Sequence, residues 1–517
     1  MRNSREDAKK MTTSTVCITI TILVYLVGML WIGARFAKQN ESSSDFYLGG
    51  RKLGPLVTAM SAEASDMSSY LLMGLPGLAY LSGLADVGWT AIGLGLGTYL
   101  NWLFTARRIR RYTQITGAFT LPQFFSHRFH DRKHILSAIS AVIIIVFFIP
   151  YTASGFSACG KLFSSLFGVD YMGAMIVSAI VIVGYTAAGG FLAASVTDLI
   201  QSIIMTIAIL FVLIYATVQA GGLGAVMENA KALPGYLSFT STYTASGAAP
   251  YNFLTIVSTL AWGLGYFGMP HILLRFMAIE DDTKLKTSRR IATVWVVISM
   301  FIAVLIGIVG NTVTKEGKIP FLGTSSDAET ILIKLSDLLS QHGVFFALVA
   351  GLALSGILAS TMSTADSQLL AAASSVSHDL VQDFFGKKLS PKNSMLAARG
   401  TVIGIAVVGI LLAWNPSSSV FRIVSFAWAG FGAAFGPLVL FSLFWKRTTK
   451  QGAIAGMVAG GAMVFIWKYL LAPMGGAWSI YELLPAFLVA CVAIVVVSLA
   501  TPAPAKEIVE EFEGVGK

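Results

Sequence analysis

The feature that most limits how this chain can fold is a recurrent one. Apolar runs of about 20 residues return along its whole length, separated by short polar joints. One such run could be a core helix, but about thirteen of them cannot share one water-soluble core. They lie near 14–34, 53–80, 85–106, 135–160, 171–189, 193–218, 251–277, 289–312, 343–375, 397–414, 418–445, 452–472 and 479–501. Between the fifth and sixth, Gly189 and Gly190 leave room only for a very short turn. Of 517 residues, 55% are hydrophobic and only 12% are charged, whereas a soluble domain carries roughly 25% charged residues. Hydrocarbon in place of water demands such a composition. It also demands helices, which satisfy their own backbone hydrogen bonds. The expected fold class is an all-α integral membrane protein with about thirteen transmembrane helices.

The formal net charge is +10. Its basic residues cluster in short joints between spans, which reads as membrane topology and anionic lipid contact rather than nucleic acid binding. The first loop carries Arg35, Lys38, Arg51 and Lys52, and the third Arg107, Arg108, Arg110, Arg111, Arg128, Arg132 and Lys133. The seventh carries Lys284, Lys286, Arg289 and Arg290, the ninth Lys387, Lys388 and Lys392, and the eleventh Lys446, Arg447 and Lys450. Even-numbered loops are poorer: Lys161 and Lys231 are nearly alone, and Lys315, Lys318 and Lys334 are diluted by acids. Odd loops are therefore expected in the cytoplasm, with the N-terminus outside and the acidic tail at 506–517 inside a cell membrane. The N-terminal Arg2, Arg5, Lys9 and Lys10 run against this orientation, and the many internal loops outweigh them.

Other classes are disfavoured. The polar stretches near 219–250 and 313–342 are too short for an attached soluble domain, and no GxxxxGK motif followed by Ser or Thr supplies an ATP site. Cys17, Cys159 and Cys491 have no metal-ligand spacing and read as buried thiols. The polar N-terminal segment has no cleavable signal pattern. His127, His130 and His134 have ligand-like spacing, but Arg128, Arg132 and Lys133 beside them would repel a metal ion. A solvated basic loop fits better. An intramembrane enzyme would need a nucleophile–base or metal constellation, and a channel a continuous polar pore. No obligatory protein partner is indicated.

Function is sought in polar residues placed where lipid should be. The second span reads SAEASDMSSYLLMGLPG, with Glu63 and Asp66 deep among small residues and Gly74 and Pro76 following. Such a run either unwinds, freeing carbonyls that line a cavity, or kinks and bonds to its neighbours. The seventh span, AWGLGYFGMPHILLRF, repeats the theme with Gly263, Gly265, Gly268 and Pro270 among Trp262, Tyr266 and Phe267. Its glycines serve either a break or close helix packing. Two interrupted spans in corresponding places are a sequence pointer to a transporter site. In the ninth span, Ser360, Ser363, Thr364 and Ser367 fall at i, i+3, i+4 and i+7 and form one hydroxyl stripe, with Asp366 off it. Neutral oxygens suit a hard cation such as sodium, although hydroxyls also bond back to their own helix. The sixth span adds Ser195, Asp198 and Ser202. A carboxylate there either binds an ion or pairs with a basic group.

These segments resemble the sodium/solute symporter family, most closely its proline branch. The likeness is carried by DFYLGGRKLG, ASDMSSYLLMGLPG, FLAASVTDLIQ, AWGLGYFGMPHILLRFMA, STMSTADSQLL and FGPLVLFSLFWKRTTKQGAIAGMVAGG, in that order along nearly the whole chain. It implies a LeuT-like fold of inverted five-helix repeats, 53–218 and 251–445, with broken helices, one span before them and two after. It implies a sodium site of the main-chain oxygens of Ala64, Met67 and Ser360 and the hydroxyls of Ser363 and Thr364. Asp66 would support that site and Asp198 would serve coupling. Ser68, Tyr151, Trp262, Tyr266 and Pro270 match positions that line the solute pocket, and Arg51 matches an arginine near the cytoplasmic end of the second span. The sequence departs from the family pattern with Glu63 and Ser69 in place of glycine, Tyr70 in place of tryptophan and Ser360 in place of alanine. A carbonyl ligand does not depend on its side chain, so Ser360 leaves the sodium site intact; Ser69 and Tyr70 border the pocket. The resemblance implies a transporter, not an enzyme, taking up L-proline with Na+ as coupling ion by alternating access. The alternative within the family is another amino acid or a carboxylate as solute.

Overall fold

The computed structural model describes residues 12–37 and 47–515. Lys38, the N-terminal basic residues and the last two residues of the tail lie outside the described residues. Every apolar run expected to span falls on helix. Among the described residues, nine helices are long and apolar enough to cross a membrane, and the bent pair Phe253–Gly268 with Pro270–Ala278 makes ten. The other expected spans are helical but irregular. The second runs through Pro55–Ser69, a π segment at Tyr70–Gly74 and Leu75–Ser82. The third runs through Leu84–Leu100, a π segment at Asn101–Thr105 and Ala106–Thr116. The fifth, Tyr171–Gly184, is short.

The division between the fifth and sixth spans lies where the glycines placed it. Tyr171–Gln219 is continuous helix except at Gly190, whose φ of 69° and ψ of −177° break it; a residue with a Cβ would be strained there. Helix starts follow local chemistry. Asn252 accepts from Thr255 N at the head of the seventh span, Ser419 from Arg422 N at the eleventh and Thr449 from Gly452 N at the twelfth. The sixth loop holds a helix, Leu223–Ala232, and a two-stranded hairpin, Ser241–Thr244 with Gly247–Pro250, that the apolar pattern did not announce.

The ninth span, Val344–Ser374 continued by Ser375–Phe384, is the hub. Every residue from 353 to 375 is buried. The first span, by contrast, leaves Ile20, Leu23, Val24, Val27 and Trp31 exposed, a lipid-facing stripe. Loops segregate by parity. Arg51 of the first loop donates to Thr113 O (2.9 Å) and Ala118 O (2.7 Å) of the third and to Met277 O (2.6 Å) at the end of the seventh span. Arg107 and Arg111 pair with Asp282 at 3.0 and 2.7 Å. Opposite them, Lys161 of the fourth loop joins Glu329 of the eighth at 2.7 Å and donates to Ser418 O of the tenth at 2.7 Å.

Candidate functional site

The second span breaks at Ser68, with φ 40° and ψ −170°. A non-glycine residue in that region costs on the order of 1–3 kcal/mol and persists only where its surroundings hold it. Here the Tyr70 N–H turns back to Ser68 Oγ at 3.1 Å. Just before the break, the carbonyl of Ala64 faces the ninth span, and Ser363 Oγ donates to it at 2.9 Å. The same hydroxyl lies 3.2 Å from Ser360 O, and Thr364 Oγ1 donates to Ser360 O at 3.0 Å. Ala64 O, Ser360 O, Ser363 Oγ and Thr364 Oγ1 thus form one linked set of neutral oxygens. Met67 O, beside the break, accepts the Tyr70 N–H. Ser360 Oγ and Ser367 Oγ bond back to their own helix, at Ile357 O and Ser363 O. The stripe therefore splits. Of the stripe, Ser363 donates across to the second span, and a hydroxyl with two acceptors can rotate to turn its lone pairs toward a cation.

Asp66 links this set to an aromatic pocket. Tyr266 OH donates to Asp66 Oδ2 at 2.6 Å, Tyr151 OH donates to Asp66 O at 3.1 Å, and no hydrogen bond reaches Asp66 Oδ1. A cavity of about 10 Å³ is lined by Asp66, Met67, Tyr70, Tyr151, Trp262 and Trp428, among others; it holds about one water. A second of equal size is lined by Ser68, Ser69, Tyr151, Thr364 and Gln368, among others. The rings are stacked: Trp262 lies 5.6 Å from Tyr70 and 5.0 Å from Tyr481, at interplanar angles of 27° and 19°. These surfaces must part to admit a solute. Four of the five pocket residues expected from the sequence meet here: Ser68, Tyr151 and Trp262 on the cavity walls and Tyr266 on Asp66. Pro270 is buried at the start of Pro270–Ala278 but lines neither cavity.

The sodium:solute symporter family matches residues 46–460. The chain is 42% identical over 490 residues to the osmoregulated proline transporter OpuE of Bacillus subtilis, covering 95% of this chain and 96% of that one. It is 41% identical over 494 residues to the sodium/proline symporter of Escherichia coli, covering 95% of each. The chain belongs to the sodium:solute symporter family. Its fold is LeuT-like and is shared with a Na+-coupled sialic acid symporter solved in a substrate-bound outward-open state. The TM-score is 0.78 at 17% identity, covering 95% of this chain and 99% of that one. Mhp1, a nucleobase-cation-symport-1 family transporter, superposes at a TM-score of 0.56 and 14% identity, covering 92% and 99%.

In this symporter Asp198 is not left to an ion alone. Arg275 of the seventh span, fully buried, reaches Asp198 Oδ2 at 3.2 Å and donates to Ser61 Oγ (3.0 Å), His271 O (2.9 Å) and Ser367 Oγ (2.5 Å). Ser61 Oγ also donates to Asp198 Oδ2 at 2.7 Å. Of the two readings of the sixth-span carboxylate, pairing with a base is the one found. The cluster ties spans two, six, seven and nine together, and the sequence reading missed Arg275; the signal was a lone arginine five residues after Pro270, the last of the seventh-span breakers. Glu63 is bound separately, accepting from Thr98 Oγ1 and Trp102 Nε1, both at 2.9 Å. It faces the third span, away from the oxygens at Ala64 and Ser363. Asn101, in the third-span π segment, was also missed. It donates to Tyr266 O at 3.0 Å and so holds the open carbonyl of the seventh-span turn.

Proposed function

We infer that this symporter takes up L-proline together with sodium ions across the cell membrane by alternating access. It is a transporter, not an enzyme. Relatives about 40% identical over some 95% of the chain are named as sodium/proline symporters. The observation that carries the reading is the contact of Ser363 Oγ with Ala64 O at the second-span break. It brings a broken backbone and a hydroxyl stripe into one oxygen-lined spot, with Asp66 joining it to the aromatic pocket. Sodium is held by the main-chain oxygens of Ala64, Met67 and Ser360 and the hydroxyls of Ser363 and Thr364, with Asp66 supporting. Asp198 serves coupling through Arg275.

Proline is a compact zwitterion with an apolar ring. Its carboxylate meets amides and hydroxyls around Ser68, and its ring and secondary ammonium meet the faces of Trp262 and Tyr266, with Tyr151 beside them. Pro270 shapes the seventh-span turn from behind. The driving force suffices: a 100 mV potential supplies about 2.3 kcal/mol per charge and a tenfold sodium gradient about 1.4 kcal/mol. One sodium per zwitterion sustains accumulation of a few hundredfold. The inverted repeats are 53–218 and 251–445. Segregation of odd and even loops to opposite sides, with arginine concentrated on the odd side, supports an outside N-terminus and a cytoplasmic tail.

Ser69 and Tyr70 keep a second solute in view. Both border the cavities, and neither Ser69 Oγ nor Tyr70 OH has a hydrogen-bond partner. Competition decides between them. Excess unlabelled proline is expected to abolish labelled proline uptake, with glucose, pantothenate and acetate ineffective. Competition by one of those and not by proline would make the solute reading wrong.

A further inference from the structure

At the end of the ninth span, on the side of the odd-numbered loops, the helix leaves α geometry and runs as a π-helix over Ser375–Phe384. In an α-helix, residues five apart point about 140° away from each other. Hydrogen bonding from i to i+5 brings them to one side, and such segments often mark functional sites. Here it aligns His378 with Asp383. His378 Nδ1 lies 3.4 Å from Asp383 Oδ2 and 3.9 Å from Asp379 Oδ1. The three ligand atoms all fall within 4.8 Å of one another.

The His378–Asp383 separation is the one a tetrahedral metal ion uses, and Asp379 lies somewhat farther out. Nitrogen and oxygen ligands at about 2.0–2.2 Å from a tetrahedral zinc ion stand roughly 3.4 Å apart. The Asp379 side chain is 0% exposed. Its Oδ1 accepts from Thr120 Oγ1 at 2.9 Å, but no hydrogen bond reaches its Oδ2. A buried carboxylate oxygen without a partner is costly. Among the described residues, no lysine or arginine forms an ion pair with Asp379 or Asp383. An amide also faces the cluster: Gln123 Nε2 lies 3.1 Å from His378 Nδ1 and donates to Asp383 Oδ2 at 3.3 Å, while Gln123 Oε1 accepts from Phe119 N at 3.1 Å. An amide donor thus stands against two of the cluster's ligand atoms, the place a metal ion would take. The Phe119 ring packs edge-on against His378 with centroids 4.6 Å apart, fixing the imidazole. His378 and Asp383 remain about a fifth exposed, which leaves an entry path and a fourth position for water.

We propose that His378, Asp379 and Asp383 form a binding site for a first-row divalent transition-metal ion, of the zinc class, at this end of the ninth span. One imidazole and two carboxylates suit zinc and cobalt, and disfavour the soft ions that need thiolates. The site is separate from the sodium set on the same helix: Thr364 is fourteen residues, about 21 Å, away. The histidines with the more ligand-like sequence spacing, His127, His130 and His134, lie elsewhere. His130 of that other group pairs with Glu511 at 2.9 Å.

The test uses the full chain in detergent or nanodiscs, with Zn2+ binding measured by competition against a chromophoric chelator and Co2+ absorption reporting the ligand field. One Zn2+ per chain is expected, with a tetrahedral Co2+ spectrum. Asp383→Asn and His378→Ala should each weaken Zn2+ binding by about a hundredfold or more, since loss of even an outer partner costs roughly 10–100-fold. His130→Gln should leave binding unchanged. Asp383→Asn is partly exposed and is expected to keep sodium-dependent uptake, which shows that it folds if His378→Ala does not. No stoichiometric binding, or binding unaffected by Asp383→Asn, would overturn the proposal. Loss of binding on His130→Gln alone would assign the metal to the third-loop histidines and overturn it equally.

Discussion

The second span is broken by a serine, Ser68, held at a φ of 40°, while the seventh tightens over Ala261–Gly268 and bends by 48° before Pro270. The two interruptions stand in corresponding places but are built from opposite materials. In the second span the residues around the break are polar. Its strained serine is tied by the Tyr70 N–H, and Ala64 O is offered to the ninth span. In the seventh the breakers are glycines that serve contact. A Cβ at Gly263 would overlap the carbonyl of Gly93, and one at Gly268 the carbonyl of Phe431. The two sequence readings of these glycines, break and close packing, are therefore both realised. One interruption turns a backbone carbonyl toward a neighbouring helix; the other presses backbone against backbone, beside the aromatic rings proposed to meet the solute.

The largest effect expected from this contrast is on stability. Gly263→Val forces a branched side chain into the Gly93 and Gly97 backbone and should cost about 3 kcal/mol or more. It should appear as a clear fall in melting temperature and in the yield of folded protein. Ser68→Gly should do the opposite to the fold, leaving the melting temperature unchanged or slightly raised because the strained φ is relieved. It should still raise the half-saturating proline concentration. Equal melting temperatures for Gly263→Val and the parent chain would break the comparison.

Next in size is the sodium dependence. Asp66→Asn and Thr364→Ala should each raise the sodium concentration for half-maximal uptake about tenfold, equivalent to about 1.4 kcal/mol, with membrane expression maintained. An unchanged sodium curve in both would remove the ninth span from the site. A smaller change belongs to the seventh span. Trp262→Ala should raise the half-saturating proline concentration by roughly three- to tenfold, the range of an aromatic contact worth about 0.5–1.5 kcal/mol. Lys392→Ala in the ninth loop should leave it alone. The smallest is at Glu63. Glu63→Gln keeps an acceptor for Thr98 and Trp102 and should leave sodium dependence within about twofold, since among the described residues its hydrogen bonds come from the third span. A complete loss of coupling would make Glu63 a sodium ligand.

What the sequence disclosed follows the range of the interactions involved. Periodicity exposed the hydroxyl stripe, and the density of small polar residues exposed the second-span break, because both are local. The two-glycine joint at Gly189 and Gly190 was legible for the same reason. The pairing of Asp198 with Arg275 spans 77 residues and that of Ser363 with Ala64 spans 299; only the fold brings them together. Periodicity also could not say which hydroxyl crosses to the neighbour and which bonds back, since Ser360 and Ser363 have the same spacing and different surroundings. The third span read as an ordinary run, and the π segments of the second and third were not foreseen, because π turns leave no hydropathy signature. His378 escaped notice because its alignment with Asp383 exists only in a π-helix.

The central claim is that sodium entry at the second-span break drives proline uptake. Its most direct test is purified protein in proteoliposomes loaded with potassium and given labelled proline, with an inward sodium gradient or an equal gradient of potassium or choline. Accumulation above the external proline concentration is expected with sodium alone, collapsing when a sodium ionophore dissipates the gradient. Accumulation that is the same without sodium, or a sodium gradient that moves no proline, would contradict it.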